Sequence, residues 1–122
     1  MDRLGAPGRV LPESVVVAQT IREAALHVPG VIAMSPGRRY REATYGPGVT
    51  VWGVGISTQH GRIDADVHVV ASVTPLPALA HRLRRTIQHA LREISLLPVG
   101  QINIYIDDIV LLPDGASGMV PA

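Results

Sequence analysis

Asp64, Asp66 and His68 alternate along one run of the sequence, beside Arg62. In an extended backbone alternate residues share a face at a spacing of about 6 to 7 Å. Two carboxylates and an imidazole in such a row could divide acid and base work or hold a metal ion. A sheet covered by helices on one side shows the same polar row on its other face, simply to meet water. Asp107 and Asp108 have the composition of a carboxylate dyad, but neighbours on a strand point to opposite faces and meet only where a bulge intervenes. The five histidines, His27, His60, His68, His81 and His89, lack ligand spacing with carboxylate or thiolate help, and His81 and His89 stand about 12 Å apart along a helix. Gly53-Val54-Gly55 lies inside an extended run with no helix after it, so it lacks the setting of a phosphate loop. No serine sits on a Gly-x-Ser-x-Gly turn. The chain therefore reads as non-enzymatic, with no catalytic, cofactor-binding or metal residues.

Its surfaces are more informative. All eleven basic residues are arginine, and the formal net charge is +1. Arginine suits bidentate and stacked contacts better than lysine, although a coding bias produces the same usage. Between residues 75 and 95, His81, Arg82, Arg84, Arg85, Gln88, His89, Arg92 and Glu93 cover one arc of a helix, four arginines against a single carboxylate. That arc is either a solvated face or a docking face for an acidic partner. Arg38, Arg39 and Arg41 around Tyr40 form a second basic spot. Val16 and Leu26 fall on the side of the first helix away from its apolar stripe, so either the loop 35–47 folds over them or another subunit does. Trp52 shares a strand face with Thr50, Val54 and Ile56 and is either core or partner surface. Partner-binding candidates are thus His81, Arg82, Arg85, His89 and Arg92 on the second helix, Arg38, Arg39 and Arg41 in the loop, and Trp52, Val16 and Leu26.

The elements that must position these residues follow from periodicity. Over 12–28, Val17, Ala18, Ile21, Ala24, Ala25 and Val28 fall within about 120° of arc, an amphipathic helix that Pro12 opens and Pro29-Gly30 closes. A short edge strand at 31–34 and the loop 35–47 come next. Two extended runs, 48–56 and 62–72, are joined by Ser57-Thr58-Gln59-His60-Gly61 and predict an antiparallel hairpin; the second alternates Ile63, Ala65, Val67, Val69 and Ala71 on one face. Pro75 and Pro77 start a second helix whose stripe includes Leu76, Leu79, Leu83, Ile87 and Leu91. Pro98 stops it, and 99–110 alternates again as a strand. The expected fold is α+β in the order α-β-β-β-α-β, a two-layer domain with a mixed sheet of three to four strands and both helices on one face. Residues 1–11 and 113–122 read as mobile tails around a domain at 12–112.

With 122 residues, 47% hydrophobic and 17% charged, one core is the expectation and disorder is excluded. That core must be aliphatic, since there is no Phe. No cysteine is present, which removes disulfides and thiolate chemistry and suits a reducing compartment. The first residues carry no apolar export segment, and the uncharged stretch 45–60 is interrupted by four glycines and a proline, far from the ~20 apolar residues of a spanning helix. The expectation is a cytoplasmic protein with no transmembrane segment of its own.

The opening helix ends in Val28-Pro29-Gly30-Val31, and the closing strand alternates Ile102, Ile104 and Ile106 before Asp107. Tyr45-Gly46-Pro47-Gly48-Val49 leads into the central hairpin, and 64–70 follows as its third strand. In this order and spacing the pieces resemble the alkaline shock protein family over about 12–112. The resemblance implies a role in the envelope stress response, self-association beneath the membrane as a homo-oligomer, and attachment through a membrane-anchored partner protein, with no catalytic residues. The rival reading is a nucleic-acid-binding module using the basic face of the second helix and the loop arginines. Few stacking aromatics, no Gly-x-x-Gly clamp and little net charge argue against nucleic acid as the partner.

Overall fold

The computed structural model describes residues 13–111; both expected tails, and Pro12 as helix opener, lie outside the described residues. The first helix, α1 (Ser14–Leu26), buries Val17, Ala18, Ile21 and Ala25. Its backbone turns at Pro29 and Gly30, where Gly30 takes a φ of 102° that a side chain would disfavour. Five strands follow, β1 (Val31–Met34), β2 (Ala43–Gly46), β3 (Val49–Trp52), β4 (Val54–Ser57) and β5 (Ile63–Ser72), then α2 (Leu76–Ile94) and β6 (Val99–Val110).

β5 is the central strand. β6 pairs with it in parallel along one edge. On the other edge β1 and β4 lie end to end, both antiparallel to β5, with Val31 opposite Ala71 and Met34 opposite Val69 at one end, and Val54 opposite Val67 and Ser57 opposite Asp64 at the other. β2 and β3 form a separate two-stranded ladder. The α+β class and the mixed sheet are as expected, but there are two more strands than the order α-β-β-β-α-β allows. Part of the expected loop pairs as β2 because Pro47 and Gly48, the latter with φ 70°, turn the chain back on itself. The run 48–56 divides because Gly53 adopts φ 82°, where its N–H donates to the Glu42 carbonyl at 2.7 Å and its own carbonyl accepts from His68 N at 2.8 Å. A Cβ at Gly53 would collide with the Ser35 carbonyl oxygen.

The core lies between the helices and one face of the sheet. Ile63, Ala65, Val67, Val69 and Ala71 of β5 are all buried, as alternation predicts, and meet Leu79, Leu83, Ile87 and Leu91 of α2. Each such Leu or Ile contributes about 1.5–3 kcal/mol by leaving water. α2 begins with Pro75 at its cap and Pro77 in its first turn, where a missing N–H costs nothing, and ends at Ser95 ahead of Pro98. No helix among the described residues is long and apolar enough to cross a membrane.

Candidate functional site

The gap between β1 and β4 falls at His68. Its carbonyl accepts from Ser35 N at 3.0 Å, just past β1, and its N–H donates to Gly53 just before β4. Alternation along β5 turns the His68 side chain away from the core. There, Nε2 lies 2.8 Å from Glu42 Oε1 and Nδ1 lies 3.0 Å from Asp107 Oδ2. The ring stacks on Tyr105, with centroids 4.6 Å apart and planes at 13°. Ser35 Oγ donates to the same Asp107 Oδ2 at 2.8 Å, and Arg38 Nη1 donates to the Asp107 carbonyl at 2.9 Å.

Asp107 reaches the ring through a bulge. The β5–β6 register slips between Val69, opposite Ile106, and Val70, opposite Asp108, leaving Asp107 as the extra residue. Glu42 arrives from the other side, on the segment 36–42, which crosses the outer sheet face; Glu42 N donates to the Pro36 carbonyl at 2.9 Å and closes that segment on itself. Above the histidine lies a cleft of about 450 Å³. Arg38, Arg39, Tyr40 and Arg41 form its upper wall, and Glu42, His68, Tyr105 and Asp107 its floor, with Asp66 at the side.

An ionised carboxylate only accepts hydrogen bonds, so both contacts are bonds when both ring nitrogens carry hydrogen. Ser35 points to Asp107 rather than to the imidazole. The two carboxylates sit on opposite sides of the ring and do not converge on a point where an ion would rest. Among the described residues no group of three or more His, Asp or Glu is placed to hold a metal. What this geometry does is staple: it ties the segment carrying Arg38 to Glu42 onto β5 and β6.

The row Asp64, Asp66 and His68 therefore divides instead of acting together. Asp64 accepts from Gln101 N at 2.7 Å and from Arg62 Nε. The backbone bond from Gln101, with Arg62 alongside, holds its carboxyl below the usual carboxylate range. Asp66 accepts from Asn103 Nδ2 at 2.9 Å.

The staple presents an aromatic cluster. In the β2–β3 ladder Ala43 pairs with Trp52 and Tyr45 with Thr50. Thr44 and Val51 point inward and are buried, so Tyr45 and Trp52 share the outer face. Their rings meet edge-on at 6.5 Å, and the Arg41 guanidinium lies 5.1 Å from the Trp52 centroid. Trp52 is 40% exposed and so is not a core residue. It does not share a face with Val54, as an unbroken strand would require, because the Gly53 kink turns Val54 into the core.

The eleven candidates thus fall into separate places. Arg38, Arg39, Arg41 and Trp52 come together on the sheet side. His81, Arg82, Arg85 and His89 line a depression between the helices that also includes His27, while Arg92 lies outside it. Arg84 turns to the β6 edge and donates to the Ile102 carbonyl at 2.9 Å. Val16 lines a neighbouring depression, and Leu26 lines neither. The loop 35–47 does not fold over these two, which remain 43% and 44% exposed. Its first part is drawn across the far sheet face by His68 and Asp107, and a Cβ at Gly46 would meet Val15 instead. Ser35, Glu42, Tyr45, Tyr105 and His27 were not among the candidates. Tyr105 carried a signal, alternating with Asp107 on the outward face of β6, and Tyr45 stood in the run that leads into the central hairpin.

A family model described as the alkaline shock protein 23 family, with a cell envelope-related function, matches residues 6–111. Comparison with curated proteins and with solved structures gave no match.

Proposed function

We propose, because this chain belongs to the alkaline shock protein 23 family of cell envelope-related function, that it serves the envelope stress response by association and not by catalysis. In this reading it self-associates, works on the cytoplasmic side and reaches the membrane through a membrane-anchored protein partner. The observation that carries it is the Arg41–Trp52–Tyr45 cluster, exposed on a hairpin that is stapled in place. Tryptophan, tyrosine and arginine supply most of the energy of protein interfaces, because they combine large apolar area with few rotatable bonds or with planar donors. An exposed indole leaves apolar surface in water at a cost of about 25 cal/mol per Å². Burial against a partner recovers that, and Arg38 and Arg39 beside it favour a partner with carboxylates.

The test compares the wild-type chain with Trp52→Ala and Arg41→Glu by sedimentation over a wide concentration range and by co-purification from membrane fractions of the native cell. The wild type should assemble with concentration and retain an envelope protein that both variants lose. A wild type that stays a single species and retains the same proteins as the variants would overturn the reading.

A further inference from the structure

The helix layer, on the opposite side from the stapled hairpin, carries two adjoining depressions of about 470 and 490 Å³ that share His27 and Thr86. Together they form one groove along the α1–α2 seam. α1 and α2 run antiparallel there, since Val16 lines the groove with Ala90 at one end and His27 lines it with His81 at the other. The floor of the first half is made of short side chains, Thr20 and Ala24 of α1 with Thr86 and Ala90 of α2. Val16 stands exposed on its wall. The second half is basic, lined by His81, Arg82, Arg85 and His89 of α2 with His27 at the end of α1, and Arg82 donates to the Pro29 carbonyl at 3.4 Å. Two carboxylates are near: Glu23 at the middle of the groove, and Glu93, 3.6 Å from His89 at the rim.

We infer that this groove is the seat for one amphipathic helix of a partner protein, apolar along the face it buries and acidic at one end. Helices pack at axial separations of 8–10 Å, and short side chains on the floor permit the close end of that range. The groove runs the length of α1, about 20 Å at 1.5 Å per residue, which takes a helix of about 15 residues. Its position fixes the charge pattern: carboxylates over Arg82 and Arg85, apolar residues over Ala24 and Val16, and a basic or amide side chain over Glu23. A second copy of this chain is the poorer occupant. It would bring up a second pair of Arg82 and Arg85 with His81 and His89 against the first, with only Glu23 and Glu93 to offset them, and like charges opposed across an interface repel. The groove and the Arg41–Trp52 cluster lie on opposite layers, so both can be occupied at once and the chain can bridge two proteins.

The probe is a synthetic helical peptide of about 15 residues with an alanine and leucine face and glutamates at one end, alongside a second peptide with lysines in their place. Each is titrated into the full chain while backbone amide resonances are followed. The glutamate peptide should shift Thr20, Ala24, Thr86 and Ala90 and bind roughly tenfold or more tightly than the lysine peptide. Arg82→Glu combined with Arg85→Glu should reverse the preference; both side chains lie on the helix surface, and the unchanged resonances of β5 would show the fold intact. Emission of Trp52, the single tryptophan, should not move. Equal binding of both peptides, no shift at millimolar peptide, or shifts confined to the Trp52 side would overturn the inference. So would self-association of the chain through these same residues without competition from the peptide.

Discussion

β5 has two faces of equal regularity held by different forces. The inward row, Ile63, Ala65, Val67, Val69 and Ala71, is held by removal from water, which has no direction and needs no specific partner. The outward row is held by directional bonds to groups from elsewhere: Asp64 to Gln101, Asp66 to Asn103, His68 to Glu42 and Asp107. The inward face therefore decides whether the domain is folded. The outward face fixes the segment 36–42 that leads into the β2–β3 hairpin, whose inner residues Thr44 and Val51 are themselves buried, and so how Arg41 is held over Trp52.

The sharpest way to break that division is to remove mass from the interior and a bond from the exterior. Leu83→Ala should cost about 2–5 kcal/mol by leaving a cavity under β5, read as a lower urea midpoint, while Trp52 emission of the folded state stays at the wild-type wavelength. Gly53→Ala should cost about 1–3 kcal/mol, since it forces a side chain into the left-handed region and against Ser35. Unlike Leu83→Ala, it should also shift Trp52 emission. His68→Ala should cost about 1–2 kcal/mol from lost hydrogen bonds, yet free the hairpin and shift emission more than any core variant. Emission unchanged in His68→Ala would remove the staple from the account.

The smallest effect lies at Asp64 and concerns pH. Its carboxyl is held below the ordinary value of 3.8 in the folded chain, first by the Gln101 backbone bond and then by Arg62. A depressed folded pKa means that the folded state binds the proton less readily than the unfolded one, so the contribution is present at neutral pH and above 3.8 and is lost as pH falls below it. Asp64→Asn should therefore lower the urea midpoint slightly at about pH 7, where the contribution is fully present, and flatten its acid limb between about pH 4 and pH 2, so that the two proteins converge at low pH. An identical acid limb in both proteins would show that the Gln101 contact does not persist in solution.

Much of this was legible along the chain. The stripe Leu79, Leu83, Ile87 and Leu91, the alternation of β5, and the stop at Pro29-Gly30 are local patterns, and each appears in the fold where the pattern puts it. The hairpin closing at Gly61, which has φ 71°, is equally local. The break at Gly53 was not legible, because a glycine inside a β-rich run marks a kink only when another segment approaches its backbone, and here that segment is Ser35 to Glu42. The bulge at Asp107 was foreseeable as a condition for carboxylates to meet, but its occurrence depends on how β6 is shifted against β5.

Residue order alone determined the two helices, the alternation of β5 and β6, the aliphatic interior and the family, because periodicity and turn chemistry act between residues a few positions apart. Only the tertiary structure decided that His68 is stapled between Glu42, 26 residues before it, and Asp107, 39 residues after it. It likewise decided that Trp52 faces outward under Arg41 and that His27 joins the basic end of the helix groove. Those pairings join distant segments through directional contacts, and no local pattern records which distant partner a polar side chain will meet.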